Sequence, residues 1–170
     1  LHAVDLRSRP GMRIGGRDER RDRGVVQLSL DRGQPGPDVA GAQGEFGPVG
    51  VRLKGQNSFL PFSQKPSLRI NVNAYIPDAT FYGLTDLTLN NMKSDPSMMH
   101  EKLAYRVARE AGLIASRANH LELTVNGQPY GLYTNLETVK RSMFPDPKGT
   151  LWEATDVDFT PDLVARYEQI

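Results

Sequence analysis

The alternation of apolar and polar residues changes along the chain and predicts several strands and one long helix. Residues 49–55, 67–76, 81–91, 120–127 and 128–137 place apolar side chains at every second position, as in half-buried strands. The pair Asn126-Gly127 separates the last two segments and predicts a hairpin turn. A short helix, TVKRSMF, and a brief strand, TLWEA, are predicted after them. This order predicts an α+β domain in which one long helix packs on an antiparallel sheet.

The stretch from Asp95 to Leu113 carries the signals of a helix with defined ends. Asp95 is suited to the N-cap, Pro96 to the first helical position and Gly112 to the left-handed residue that follows a helix. A carboxylate, Glu101, lies early in the helix. This pattern is typical of a core helix or of a helix in a phosphate-handling site. The apolar stripe at helical spacing comprises Met99, Leu103 and Val107, with Ala104, Ala108 and Ala111 beside them.

The first 46 residues have a composition unlike the rest of the chain. They are rich in Arg, Gly and Pro, and no lysine occurs before Lys54. Such a segment offers little apolar surface to bury, so we expect residues 1–46 to be disordered or a linker, or to derive from a shifted reading frame. A nucleic-acid-binding arm is less favoured, because its arginines are interleaved with acidic residues and lack aromatic neighbours for stacking. Residues 47–155 are predicted to form the folded region, and residues 156–170 the start of a truncated C-terminal portion. A chain that begins at Leu1 rather than Met agrees with an internal piece.

Composition excludes several classes of site. The 21 Lys and Arg residues nearly balance 20 Asp and Glu residues, so no overall charge favours nucleic acid or an anionic membrane. The absence of cysteine excludes disulfides and thiolate zinc sites. No apolar run approaches the roughly 20 residues of a membrane-spanning helix.

The acidic residues and histidines do not predict a metal site. Asp156, Asp158 and Asp162 lack the glycine and the terminal glutamate of an EF-hand loop, and a solvated acidic segment explains them better. The three histidines are far apart in sequence and form no ligand pair at helical spacing.

A series of short motifs follows in order over about residues 49–154. The motifs are Lys54-Gly55, Lys65-Pro66-Ser67, Asn90-Asn91, Asp95-Pro96-Ser97, EKLAY from Glu101, Gly112, Val125-Asn126-Gly127, YGLY from Tyr130, and Glu137. Each motif is weak alone, but in this order they specifically resemble the CotH family of spore-coat protein kinases and their secreted relatives.

The resemblance implies an atypical protein-kinase fold, of which this chain is similar to the N-terminal region that covers the nucleotide. Such enzymes use ATP with Mg²⁺ or Mn²⁺ and transfer the γ-phosphoryl group to Ser or Thr of a partner protein. A strand lysine that holds the phosphates and a helix glutamate that holds the lysine are the expected catalytic groups. Lys65 and Glu101 are the first candidates. Lys54 is the alternative nucleotide-binding lysine and Glu137 the alternative carboxylate.

Structural roles for the same residues remain open. Lys65 precedes a proline and is also explained as a solvated strand end, and Glu101 as a first-turn charge that favours the helix dipole. In the CotH family, the carboxylates that bind metal lie beyond the matched segment, and the chain has no glycine-rich phosphate loop. We therefore expect this chain to be inactive by itself.

A second hypothesis is a non-enzymatic surface, adhesion or spore-coat module, since a shared fold does not fix activity. The resemblance implies a cell-surface or secreted location. With its C-terminal partner region absent, the folded piece should expose the apolar face that this region would cover, and we expect poor solubility or self-association.

Overall fold

The computed structural model describes residues 2–8, 24–31, 45–55, 59–81, 83–146, 148–154 and 167–169, and their side chains from residue 48 onward except at 153, 154, 168 and 169. The chain divides into two compact units, Leu1–Thr138 and Val139–Ile170.

The first unit is a closed barrel with seven strands and one α-helix among its described residues. The order around the barrel is β1-β2-β3-β4-β5-β7-β6, and every neighbouring pair is antiparallel except β1 with β6. This architecture confirms the α+β class and the predicted antiparallel sheet. The elements are β1 (His2–Ser8), β2 (Gly24–Asp31), β3 (Glu45–Lys54), β4 (Ser67–Asn71), β5 (Asp86–Asn90), α1 (His100–Glu110), β6 (Ala118–Val125) and β7 (Gln128–Leu136).

Two barrel strands lie in the segment for which composition predicts a linker or disorder. The backbone of β2 pairs with both β1 and β3, and β1 also pairs with β6. The apolar patch VVQLSL lies in β2 and supplies β-branched residues that favour a strand. The structure thus places backbone pairing within residues 1–46, while the division of the chain at residues 46 and 155 stays a prediction.

The core confirms the alternation read from the sequence. Inward-facing residues of β3 to β7 bury their side chains against one another, while their neighbours in sequence face outward. The predicted hairpin is also present, because Asn126 and Gly127 connect β6 to β7 with positive φ angles of 53° and 75°. The principal buried residues are Val49, Val51, Leu68, Ile70, Val72, Phe81, Leu87, Leu89, Leu121, Leu123 and Tyr133.

The start of the helix differs from the prediction. α1 begins at His100, so Asp95 is not its N-cap and Pro96 is not its first residue. A left-handed backbone at Met98 (φ 55°) interrupts any helix that starts earlier. The predicted end is confirmed: Gly112 has φ +80°, and the N–H groups of Gly112 and Leu113 bond to the carbonyls of Arg109 and Ala108. These bonds form a Schellman motif.

The apolar stripe of α1 faces away from the sheet. Leu103 is 48% and Val107 63% exposed, and none of the residues of α1, all of which are described, is buried. The half-buried side of the helix instead carries Glu101, Tyr105 and Ala108. Leu103 and Val107 are therefore not part of the surface by which α1 packs on the sheet, whereas Met99 and Ala108 of the predicted stripe are half-buried.

The second unit contains little regular structure in its described part. Two short strands, β8 (Trp152–Ala154) and β9 (Tyr167–Gln169), pair antiparallel. The predicted helix TVKRSMF is only a 3₁₀ turn at Arg141–Met143, whereas the predicted strand TLWEA is present as β8. The acidic residues at 156, 158 and 162 lie outside the described residues. In the described part of the chain, no helix has the length and apolar character needed to span a membrane.

Replacing Tyr133 with Phe should destabilise the barrel. The Tyr133 ring is fully buried, and its hydroxyl donates a 3.0 Å hydrogen bond to the Pro66 carbonyl. Tyr133→Phe leaves that carbonyl unsatisfied, at an expected cost of about 1–3 kcal/mol in the free energy of unfolding. Urea denaturation measures the change. Tyr75→Phe is the matched control because Tyr75 is 46% exposed, and an equal loss in both variants would contradict the assignment.

Candidate functional site

A polar cleft forms where β3 and β5 end beside the start of α1. Its volume is ≈ 420 Å³, and it is lined by the ends of both strands, Ser67 at the start of β4, residues 91–95 and the first two residues of α1. β4 lies between β3 and β5, with Lys54 opposite Ser67 and Leu68 opposite Leu89. Because side chains alternate along strands, the residues next to the buried leucines present polar groups on the other face. We call this site the β3–α1 cleft.

A chain of hydrogen bonds joins a lysine to a carboxylate in the β3–α1 cleft. The Lys54 Nζ donates to Asn90 Oδ1 at 2.7 Å, and Asn90 Nδ2 donates to Glu101 Oε1 at 2.5 Å. The second oxygen of Glu101, Oε2, is buried without a hydrogen-bond partner among the described atoms. The Asn90 amide therefore fixes a cation and an anion in one arrangement, and a buried carboxylate oxygen is left to accept a further donor.

Asn91 attaches the loop of the cleft to β4. Its backbone N–H donates to Ser67 Oγ at 3.0 Å, and its side-chain amide donates to the Lys65 carbonyl at 3.1 Å. Its Oδ1 accepts from the Lys93 N–H at 3.2 Å. Asn91 is buried, its bond to Ser67 is buried and the other two are partly buried, and together the three bonds fix the path of the loop.

Asp95 organises the entry to α1 although it is not the N-cap. Its Oδ1 accepts from the N–H and the hydroxyl of Ser97, and its Oδ2 accepts from the His100 N–H at 2.8 Å. The Ser97 hydroxyl bond and the nearby His100 lower the pKa of Asp95 below its ordinary value. Asp95 thereby satisfies the first N–H of the helix from five residues away.

Lys65 lies outside the Lys54–Asn90–Glu101 chain. Its Nζ donates to the Asn91 carbonyl at 3.0 Å and lies 5.1 Å from the centre of the Tyr133 ring. A Cβ at Gly131 would come within 3.1 Å of its Cε, so the absent side chain there leaves room for the lysine stem. Burial lowers the pKa of Lys65. Between these two described residues, Lys65 and Glu101, no ion pair forms, and the predicted contact is not present.

Glu137 is engaged elsewhere. Arg117 donates to both of its carboxylate oxygens, at 2.7 Å and 3.0 Å, and the Arg117 N–H donates as well. These bonds lower the pKa of Glu137. Glu137 is not among the residues that line the β3–α1 cleft.

The family model described as CotH kinase protein matches residues 51–157, which is more than half of the chain. The chain belongs to the CotH family. The resemblance read from the sequence motifs is thereby confirmed.

Two curated relatives of this CotH chain come from Bacillus subtilis (strain 168). It is 38% identical over 60 residues to an inner spore coat protein H-like protein, covering 35% of this chain and 20% of the relative. It is 29% identical over 102 residues to inner spore coat protein H, covering 58% of this chain and 28% of the relative. The chain therefore matches less than a third of the length of either CotH relative.

Asn90 is the residue whose role the sequence did not reveal. Its motif, Asn90-Asn91, contributed to the CotH resemblance, but nothing in its spacing assigned it a partner. The available signal was the amide side chain of Asn90 at the end of β5. Lys54 lies at the end of β3, at the same level of the sheet. Using that signal requires the strand order β3-β4-β5, which the sequence does not state.

Loss of the Asp95 carboxylate should shorten or fray α1. The lowered pKa means that ionised Asp95 contributes stability above its ordinary pKa of 3.8, and that this contribution is lost as pH falls through the lowered value. We expect reduced helicity for Asp95→Ala and an intermediate effect for Asp95→Asn, which keeps one acceptor oxygen. Circular dichroism between pH 7 and roughly pH 2, the range around an aspartate pKa, measures both. Equal helicity in the three proteins at pH 7 would contradict this role.

Proposed function

We propose that this CotH chain contributes the phosphate-binding side of an atypical protein kinase. In the complete protein, the γ-phosphoryl group of ATP would be transferred to Ser or Thr of a partner protein. The observation that supports this most is the Lys54–Asn90–Glu101 chain in the β3–α1 cleft. In this proposal Lys54 binds the phosphates, Asn90 positions Lys54, and Glu101 anchors Asn90.

The reasoning rests on what phosphoryl transfer requires. The reaction is accelerated chiefly by positioning and by charge stabilisation, so a lysine must be held in place and keep its charge. The Asn90 amide is neutral, and its oxygen restrains Lys54 by accepting a bond from the ammonium group. Glu101 holds the amide from the other side. This arrangement favours Lys54 over Lys65 as the phosphate-binding lysine, with Lys65 as the second candidate.

The surroundings of Lys54 also suit an anionic ligand. Lys93 and His100 line the same cleft, and the N-terminus of α1, the positive end of its dipole, lies there. The cleft volume of ≈ 420 Å³ falls within the range of about 300–1,000 Å³ common for small-molecule sites. These features together fit the phosphate groups of a nucleotide.

A divalent metal is not accommodated by the described residues alone. No group of three His, Asp or Glu residues among them is arranged to hold a metal ion. Asp95, which lines the cleft, already accepts bonds with both oxygens from Ser97 and His100. Mg²⁺ or Mn²⁺ would supply charge neutralisation when bound with ATP.

A second candidate function is a structural part of a spore coat or another surface layer. The names of both Bacillus subtilis relatives refer to the inner spore coat. The exposed apolar face of α1 favours such a role because surfaces of this kind mark sites of protein association. This candidate needs no nucleotide, which separates it from the kinase.

Titration of the chain with ATP tests the phosphate-binding proposal. Lys54→Met should weaken ATP binding at least tenfold, which corresponds to about 1.4 kcal/mol. Asn90→Ala should act in the same direction because Lys54 is then unrestrained. Lys148→Met is the matched control, since Lys148 is exposed and lies in the second unit. Isothermal calorimetry, or NMR shift changes if binding is weak, provides the affinity.

The same ATP titration distinguishes the roles of Lys54 and Lys65. We expect Lys65→Met to lower the free energy of unfolding, because the bond to the Asn91 carbonyl is lost, and to leave ATP affinity nearly unchanged. The reverse result would assign phosphate binding to Lys65. Absence of ATP binding by the unmodified chain, together with no phosphoryl transfer by a longer form of the protein, would favour the coat-structural function.

A further inference from the structure

The outer face of β3 and β4 carries a second concave site, which we call the β3–β4 pocket. Its volume is ≈ 320 Å³, and none of its described lining residues also lines the β3–α1 cleft. The polar residues of the pocket alternate along both strands with residues of the core, so the pocket lies on the face of the sheet opposite to the core. Its principal lining residues are Gly50, Arg52, Arg69, Asn71, Ala74 and Tyr75.

Two arginines lie directly opposite each other in the β3–β4 pocket. Arg52 of β3 is the register partner of Arg69 of β4. The Cβ atoms of such partners are about 4.5–5.5 Å apart, and like charges placed directly opposite each other destabilise a sheet. The register therefore holds two cations together at the expense of the stability of the free chain. An anion bound between them would offset this repulsion.

The carboxylate of Asp86 compensates these charges only in part. Its Oδ1 accepts from Arg69 Nη2 at 3.4 Å, which is longer than the roughly 2.7–2.9 Å of a strong hydrogen bond between ions. Its Oδ2 accepts from the Thr85 hydroxyl at 3.1 Å. The described residues that line the pocket include both arginines and no acidic residue. One carboxylate beside two guanidinium groups leaves the pocket with net positive charge.

A glycine allows the turn after β4 to close one side of the pocket. A Cβ at Gly50 would lie 3.0 Å from the Cβ of Ala74, so the absent side chain permits this close approach. The register partner of Gly50 is Asn71, whose exposed side chain lines the same space and carries an amide that can donate. The two guanidinium groups therefore lie in a walled pocket with a further donor, not on an open sheet.

We propose that the β3–β4 pocket binds a phosphate group, either free or carried as a monoester. The two oxygens of a carboxylate can be satisfied by the fork of one arginine. A phosphate monoester has three terminal oxygens and a charge of about −1.5 to −2 at neutral pH, which suits two guanidinium groups together. Arg52 and Arg69 bind the oxygens, and Asp86 orients Arg69 from outside the pocket. The inference is independent of the proposed kinase function, because ATP is assigned to the β3–α1 cleft.

An NMR titration with inorganic phosphate at constant ionic strength tests the site. The side-chain N–H signals of Arg52 and Arg69 should shift and saturate. Arg52→Gln should weaken phosphate binding at least about tenfold, and Arg52→Lys, which keeps the charge but loses the fork, should have an intermediate effect. Arg141→Gln is the matched control, because Arg141 is an exposed arginine of the second unit. Equal weakening by Arg52→Gln and Arg141→Gln, or the absence of saturable shifts, would overturn the proposal.

Three further ligands distinguish the chemistry of the bound group and the cleft it occupies. Tighter binding of a blocked phosphoserine than of inorganic phosphate would identify a phosphorylated side chain as the source, and the reverse order would identify the free anion. Acetate binding as tight as that of phosphate would contradict the assignment to phosphate. ATP is the third ligand. If Lys54→Met abolished the phosphate-induced shifts of Arg52 and Arg69, the phosphate would belong to the β3–α1 cleft, and the proposal would be wrong.

Thermal unfolding tests the same site without relying on the arginine signals. Without phosphate, Arg52→Gln should be at least as stable as the unmodified chain, because the repulsion from Arg69 is removed. Added phosphate should raise the unfolding midpoint of the unmodified chain more than that of Arg52→Gln, since a ligand of the folded state stabilises it by mass action. Equal stabilisation of the two proteins by phosphate, or a large loss of stability in Arg52→Gln alone, would show that Arg52 serves the sheet and not a ligand.

Discussion

The cleft depends on the hydrogen bonds of one buried amide, Asn91. Its backbone and side chain bond to Ser67 and to the Lys65 carbonyl, so the end of β5 is fixed against the start of β4. Lys65 returns a bond from its ammonium group to the Asn91 carbonyl. A buried polar group that loses a hydrogen-bond partner destabilises the structure. A substitution of Asn91 by a side chain of another shape should therefore be costly. The positions of Asn90 and of the loop before α1 follow from this attachment.

Two arrangements of oppositely charged side chains in the chain differ in how strongly water screens them. Arg117 and Glu137 form a bidentate pair, but Arg117 is 68% exposed, and pairs of this kind contribute little once water and salt screen them. Lys54 and Glu101 are joined through Asn90 in a partly buried setting, where the field of each charge is less screened. The Arg117–Glu137 pair links the end of β7 to the residue before β6. The second arrangement fits a role in presenting charge to a ligand.

Strand periodicity was sufficient to predict which residues form the core. Side chains at every second position lie on the same face of a strand, and only one face of these strands is apolar. The same kind of pattern found the stripe of α1 but could not state which side of the helix meets the sheet. That outcome depends on the half-buried Glu101 and Tyr105, and on the Asn90 bond to Glu101. The sequence also could not show that Lys54 bonds to the Asn90 side chain and Lys65 to the Asn91 carbonyl, since these contacts depend on the strand order and on the left-handed backbone of Lys65 (φ 57°). The bonds of Asn90 to Lys54 and Glu101 were missed for the same reason.

The loop between β5 and α1 has a further consequence. Met92 and Met98 both adopt left-handed backbone angles, 54° and 55°, which cost free energy for residues that carry a Cβ. They persist because the bonds of Asn91, those of Asp95, and the bond from His120 to the Met98 carbonyl determine the path between them. The loop is thus ordered before any ligand arrives. A ligand that enters the cleft meets preorganised groups, and its affinity is not reduced by the conformational entropy that a flexible loop would lose on binding.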